Sequence, residues 1–285
     1  MPESLLTTKY HCPAPAPDLV ARPQVIGLLE AGLRDRLTLI SAPAGFGKTT
    51  AVVQWLGEAQ RVTRNEPGNQ TAMARHERVA WLSLDADDNA LPRFWAYIIA
   101  ALQTVVPGVG RVAQAVLQAP PPFPIEPVLT ALVNDLAALT TPLLLVLDDY
   151  HLITLPAIHR SVDLLLEHLP PTLRLLIITR EDPPLALARL RARGQLAEIR
   201  AANLRFSAGE AAIFLNTALA LPLSEPDIAT LLLRTEGWIT GLRLASLSRQ
   251  HTADQHAFVA AFGASDSVAF VAVPVARCTT VVIVR

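Results

Sequence analysis

The sequence predicts an α/β fold: a parallel β-sheet with helices on both faces, followed by a small all-α domain. Three observations predict it. From Leu37 to Arg200, short aliphatic runs alternate with helix-length segments, the order that builds β-α-β units with right-handed crossovers. The runs Leu143 to Leu147 and Leu173 to Thr179 are almost continuously apolar, as strands buried on both faces are. After Phe206 the strand signal stops and only helical patterning remains.

Taken in order, residues 1–24 are rich in Pro13, Pro15, Pro17 and Pro23 and read as an extended lead-in. A short helix is expected from Gln24 to Gly32. Leu37 to Ser41 is a strand that runs into a glycine-rich loop, with a helix from Thr49 to Glu58 after it. Gln60 to Glu77 is polar, carries Pro67 and Gly68 and lacks periodicity, so a surface excursion is expected there. Val79 to Leu84 is the next strand, and Asp85 to Asn89 a turn. A helix from Pro92 to Val105 follows, with proline in the first turn where its missing N–H costs nothing. Pro120, Pro121, Pro122 and Pro124 make a loop before a helix from Glu126 to Leu139. Strand Leu143 to Leu147, helix Ile158 to His168, strand Leu173 to Thr179, helix Leu185 to Ala192 and strand Ala197 to Arg200 complete the alternation. Ser207 to Glu210 and Ser224 to Asp227 have the form of capped helix starts. The expected domains are therefore 25–206 for the sheet, 207–262 for the helices and 263–285 for an atypical tail.

Bulk properties narrow the function. The chain has 285 residues, 51% of them hydrophobic, and a formal net charge of -1, so its average surface carries no field to attract nucleic acid or an acidic membrane. The longest apolar stretch, Phe94 to Val109, is broken by Gln103 and Pro107. It falls short of the roughly 18 to 20 apolar residues that span a bilayer. No basic segment followed by an apolar core opens the chain, so no signal peptide is read and a cytoplasmic location is expected. Cys12 and Cys278 lie far apart without a C-x-x-C partner and suggest neither a disulfide framework nor a zinc site. Lysine occurs only at Lys9 and Lys48; the rest of the long cationic side chains are arginine.

Lys48 stands in the motif that carries the chemistry. Ala42-Pro-Ala-Gly-Phe-Gly-Lys-Thr49 fits G-x-x-x-x-G-K-[ST], with Ala42 in place of the first glycine. Gly45 and Gly47 permit a tight backbone whose N–H groups converge as an anion nest, and the helix that follows adds its positive end. Ala44, Gly45, Phe46, Gly47, Lys48, Thr49 and Thr50 are the expected phosphate-binding residues. Lys48 is placed for the β- and γ-phosphates of ATP, or the β-phosphate of ADP, and the Thr49 hydroxyl for Mg²⁺. The plain alternative is a glycine turn with an incidental lysine. Its position between a strand and a helix favours the phosphate loop.

The strand Leu143 to Leu147 ends in Asp148 and Asp149. Charges at the end of a buried strand are costly unless paired. Asp148 is the candidate second metal group for Mg²⁺, and Asp149 the candidate for orienting the attacking water. Strands also end in Asp at ordinary turns; the intervening β-α units after the phosphate loop favour the functional reading. Strand Leu173 to Thr179 ends beside Arg180, a candidate catalytic cation that senses the γ-phosphate. The alternative is a surface arginine. His151 reads as a loop residue.

Together, Ser41 to Thr50, Trp81-Leu-Ser-Leu-Asp85, Leu145-Val-Leu-Asp-Asp-Tyr-His151, Ile177-Ile-Thr-Arg180, Leu204-Arg-Phe-Ser207 and Glu236-Gly-Trp-Ile-Thr-Gly-Leu242 resemble the MalT-like, LuxR-type ATP-dependent transcriptional regulators. The resemblance runs from Leu5 to Phe262, and Ala42 matches that family's own loop. It implies a signal-transducing STAND-class ATPase, related to AAA+ proteins, that switches between a closed ADP state and an open, self-associating ATP state. It further implies that the lead-in near Val20, Arg22 and Pro23 contacts the adenine or ribose, and that the Gly237-Trp238 region packs the helices near the nucleotide. Full-length members continue into winged-helix, repeat-sensor and DNA-binding segments, which this chain is too short to hold. No DNA binding by this chain alone and no membrane partner are expected.

Two other readings stay open: a stand-alone P-loop kinase or ATPase, and a truncated remnant. The tail Gly263 to Arg285 is β-branched and almost uncharged. A shifted or interrupted reading frame would produce so abrupt a change; an edge strand returning to the sheet is the alternative.

Overall fold

The computed structural model describes residues 5–15, 19–65, 78–119, 124–219, 223–249, 269–275 and 278–284. Five strands form one sheet: β1 (Leu37–Ser41), β2 (Val79–Ser83), β3 (Leu143–Asp148), β4 (Leu173–Thr179) and β5 (Leu196–Arg200). Their spatial order is β2-β3-β4-β1-β5. The pairs β2–β3, β3–β4 and β4–β1 are parallel. Register places Ser41 beside Thr179, Leu147 beside Ile177 and Ser83 beside Asp148. The carboxyl ends of four strands thus share one edge of the sheet, where ligands of open α/β sheets bind.

The apolar runs become strands because every residue of β1 and β3 is buried. Helices α1 (Pro23–Gly32), α2 (Lys48–Asn65), α3 (Leu91–Gln103), α4 (Arg111–Leu117), α5 (Ile125–Ala137), α6 (Pro156–Glu167) and α7 (Leu187–Ala192) connect them. One core joins Leu39, Leu145 and Ile177 of the strands to Phe94, Trp95 and Ile98 of α3, Leu132 of α5 and Val162 of α6. Trp95 is buried there with its indole N–H donating to Ser161 Oγ at 2.9 Å, which satisfies the one polar atom it brings inside.

The chain divides into two compact units. One comprises residues 1–14, 26–41 and 52–199; the other comprises 15–25, 42–51 and 200–285. The second unit holds α8 (Ala201–Leu204), α9 (Ala208–Ala212), a π-helical turn at Ile213–Ala218, α10 (Glu225–Thr235) and α11 (Ile239–Arg249). Both expected capped starts are present: Ser207 accepts from the Glu210 N–H and Ser224 from the Asp227 N–H. Its core gathers Val20, Phe206, Phe214, Leu215, Ile228, Leu231 and Leu242.

Three local expectations change. Helix α2 runs on to Asn65 instead of stopping at Glu58, so the first part of the Gln60 to Glu77 stretch is helical; residues 66–77 lie outside the described residues. Helix α4 occupies a stretch to which no element was assigned, because Pro107, Gly108 and Gly110 stand at its start. Gly110 enters it in a left-handed conformation (φ 70°), and its N–H donates to the Asp135 carboxylate at 2.8 Å. In the tail, β6 (Ala269–Val275) and β7 (Cys278–Val284) pair antiparallel with each other as a separate sheet, so the alternative of an edge strand on the main sheet does not hold.

Candidate nucleotide-binding site

The phosphate loop starts at Ala42, one residue beyond β1, and ends where α2 begins at Lys48. Gly45 and Gly47 have φ of 77° and 73°. That left-handed geometry strains residues with a Cβ, so the two glycines meet the expected backbone requirement. Successive left- and right-handed residues turn peptide N–H groups toward one concavity, and the first turn of α2 adds its free N–H groups. Lys48 is only 8% exposed. Its ammonium donates to the carbonyls of Ala42 at 2.7 Å and Pro43 at 2.9 Å, holding the cation against its own loop. Ala44, Phe46, Gly47 and Thr49 are half-buried and Thr50 is exposed.

The loop belongs to the same compact unit as residues 15–25 and the C-terminal helices, and within that unit side chains reach it. The Trp238 indole N–H donates to the Ala44 carbonyl at 3.1 Å. The Thr240 hydroxyl donates to the Gly45 carbonyl at 2.9 Å, with the Thr240 backbone N–H at 3.4 Å from the same oxygen. The approach is close enough that a Cβ on Gly45 would lie 2.8 Å from Trp238 Nε1 and nearer still to Thr240 Oγ1. Trp238 is fixed in turn by the end of α10: Glu236 takes a left-handed conformation, and Gly237 packs on the backbone of Phe206, whose N–H donates to the Gly237 carbonyl at 2.9 Å.

Arg22 lies in this unit, buried. Its guanidinium donates to Leu204 O at 3.0 Å, Arg205 O at 2.9 Å and the Glu210 carboxylate at 3.2 Å, and stacks over the Phe206 ring. These partners take up all three nitrogens, and they fasten the lead-in to α8 and α9. The Glu210 partner, which also caps α9, is not recognisable from sequence spacing.

Asp148, Asp149 and Arg180 belong to the other unit. Asp148 is the last residue of β3 and 5% exposed; its Oδ1 accepts from the Asp149 N–H at 3.0 Å. Asp149 has φ of 56° and a half-exposed side chain. Such a conformation is uncommon outside glycine, although Asp and Asn enter it more readily than most. The loop behind it is pinned by Asn89, whose amide donates to Leu152 O at 2.7 Å and accepts from the N–H groups of Thr154 and Leu155. Tyr150 is fully buried, its hydroxyl 3.0 Å from His159 Nδ1. Burial pushes the Tyr150 hydroxyl pKa up and the His159 imidazole pKa down, so both are neutral and brace the turn. His151 lies in a 3₁₀ turn, Tyr150–Leu152, where a loop residue was expected, with its Nδ1 3.8 Å from Asp149 Oδ1. Arg180 is half-buried directly after β4. The pKa of the Cys12 thiol, on a largely exposed residue, is raised by partial desolvation and then by the charge of Asp148.

Among the described residues, no cluster of three or more His, Cys, Asp or Glu side chains forms a metal site, and no helix is long and apolar enough to cross a membrane. Thr49 carries a hydroxyl and Asp148 a buried carboxylate; each by itself is a hard oxygen donor of the type Mg²⁺ takes, an ion that keeps several waters and needs few protein ligands.

No protein-family profile matches the chain. Curated relatives include the HTH-type transcriptional regulator MalT of Yersinia pestis, 35% identical over 244 residues. The MalT protein of Yersinia enterocolitica is equally similar. The alignment covers 86% of this chain and 25% of the relative, so the chain spans about a quarter of the length of these relatives. Among solved structures, it resembles a Walker-type ATPase of Pyrococcus abyssi, with 13% identity, a TM-score of 0.51 and coverage of 88% and 73% of the two chains. It also resembles a STAND protein with a tetratricopeptide-repeat sensor from Pyrococcus horikoshii, with 11% identity, a TM-score of 0.51 and coverage of 84% and 31%. In fold the chain is a P-loop NTPase, and over 244 residues its sequence is homologous to about a quarter of the HTH-type transcriptional regulator MalT.

Proposed function

We propose that the chain is the ATP-binding, slowly hydrolysing switch module of a signal-responsive transcriptional regulator. The observation that carries this reading is the phosphate loop: two left-handed glycines and a buried Lys48, in a chain 35% identical to MalT. The N–H groups from Gly45 to Thr49 bind the phosphates, and Lys48 leaves its loop carbonyls to neutralise their charge. Thr50 extends the same helix terminus. Thr49 and Asp148 would hold Mg²⁺, which when bound supplies charge neutralisation on the phosphate oxygens. Asp149 accepts a hydrogen bond from the attacking water and orients it, and Arg180 reads the presence of the terminal phosphate. Arg22 acts by fixing the Val20 to Pro23 backbone, which presents the adenine and ribose contacts.

A switch holds its nucleotide long enough for each state to be read, so turnover is expected well below the roughly 10 s⁻¹ of a median enzyme. In the ATP state the module self-associates; with a net charge of -1 the chain alone has no specific DNA affinity. The test is single- and multiple-turnover ATP hydrolysis by the parent and by Asp149→Asn, with ATP affinity measured alongside. Asp149→Asn is expected to lower turnover far more than affinity, since water orientation acts in the transition state. Parallel losses in both would overturn the role of Asp149. Rapid turnover that depends on a small acceptor would mark a kinase instead.

A further inference from the structure

We infer that Trp238 and Thr240 are positioning residues that preset the phosphate loop, so that the C-terminal helical segment controls its affinity for phosphate. This rests on the nucleotide-binding role of that loop and adds the residues that regulate it.

A peptide group is planar and its C=O and N–H point in opposite directions. Fixing a carbonyl therefore fixes the N–H on the other side of the same plane. The Ala44 carbonyl shares its plane with the Gly45 N–H, and the Gly45 carbonyl shares its plane with the Phe46 N–H. Trp238 Nε1 holds the first carbonyl at 3.1 Å and Thr240 Oγ1 holds the second at 2.9 Å. Two successive N–H groups of the anion nest are thus oriented by side chains that lie 194 and 195 residues away in sequence.

Gly45 then serves two needs. Its φ of 77° suits glycine, and a Cβ would collide with the same Trp238 and Thr240 atoms. Without these two donors the peptide planes after Ala44 and Gly45 would have to be ordered in a glycine-rich segment on binding, at an entropic cost. A helical segment that removes this freedom beforehand favours phosphate binding, and by linkage bound phosphate favours the docked segment to the same extent.

The experiment compares ADP affinity, by calorimetry in the full chain, for the parent, Trp238→Phe, Thr240→Val, Thr240→Ser and Lys48→Ala. Trp238→Phe and Thr240→Val each delete one hydrogen bond while nearly keeping shape. Each is expected to weaken ADP about three- to tenfold, and Thr240→Ser, which keeps the hydroxyl, to restore most of the affinity. Trp55, Trp81 and Trp95 are buried in the other unit. An ADP-dependent change in indole fluorescence is therefore expected in the parent and lost in Trp238→Phe. Equal ADP affinity in the parent, Trp238→Phe and Thr240→Val, with binding lost only in Lys48→Ala, would overturn the inference and leave the nucleotide site standing. An equal loss in Thr240→Ser and Thr240→Val would also overturn it, because the hydroxyl would then not be the agent. A parent that binds no ADP would overturn both.

Discussion

Asp149 and Gly45 show how single residues are chosen by backbone geometry before chemistry. Gly45 and Gly47 were legible in the sequence because the phosphate-loop motif encodes the need for φ > 0, and both have it. Asp149 was legible as a carboxylate at a strand end, but its own left-handed conformation (φ 56°) was not, since the motif reports side-chain type only. That conformation costs most residues about 1 to 2 kcal/mol, and Asp and Asn less. Asp149→Asn is therefore expected to leave stability unchanged, whereas Asp149→Ala loses about 1 kcal/mol, read as a shift in the urea midpoint. Equal midpoints for Asn and Ala would mean that the turn relaxes and that the strain is not held. Trp238 and Thr240 were invisible at this scale beyond the general resemblance of their segment. Nothing local in Gly-Trp-Ile-Thr states that two donors meet carbonyls almost two hundred residues away.

At the scale of elements, the strands were read closely because β1, β3 and β4 are buried on both faces and had no choice but to be apolar. Short elements framed by glycine and proline were not. Helix α4 has no side-chain cap, and its start lies in a Pro-Gly-Val-Gly run that ordinarily signals a loop. The segment Thr7–Tyr10 was read as extended lead-in, yet it forms a 3₁₀ turn tied to the start of α3. There Lys9 is buried, its ammonium paired with the carboxylate of Asp88 and 3.0 Å from that of Asp85, over the face of Tyr97. Asp88 is fully buried, with Arg93 Nε 3.6 Å from its second oxygen. Removing one member of a buried pair strands the other charge, at a cost of about 3 kcal/mol or more. Lys9→Met is thus expected to lower the unfolding free energy by about that amount, and Lys9→Met with Asp88→Asn to recover part of it. A Lys9→Met chain as stable as the parent would show that Arg93 alone carries Asp88.

At the scale of the whole molecule, the alternation of strands and helices made the α/β class and the parallel sheet legible, while the spatial order β2-β3-β4-β1-β5 was not, because neighbours in space are not neighbours in sequence. Residues 42–51 group with residues 200–285 in one compact unit, and within that unit Trp238 and Thr240 donate to the loop carbonyls. Among the described residues β6 and β7 pair only with each other, so a chain ending at Phe262 is expected to bind ADP with the parent's affinity; a lower affinity would give these strands a part in the site. Occupancy should also stabilise the fold by mass action, by about 2.7 kcal/mol at ADP a hundredfold above its Kd. The nucleotide site itself is tested most directly by calorimetric titration of ADP and ATP, with Mg²⁺, into the parent and Lys48→Ala. Saturable binding by the parent and none detectable in Lys48→Ala is the expected result, because that substitution removes the one cation of the loop. Equal affinity in the two chains, or no binding by the parent, would contradict it.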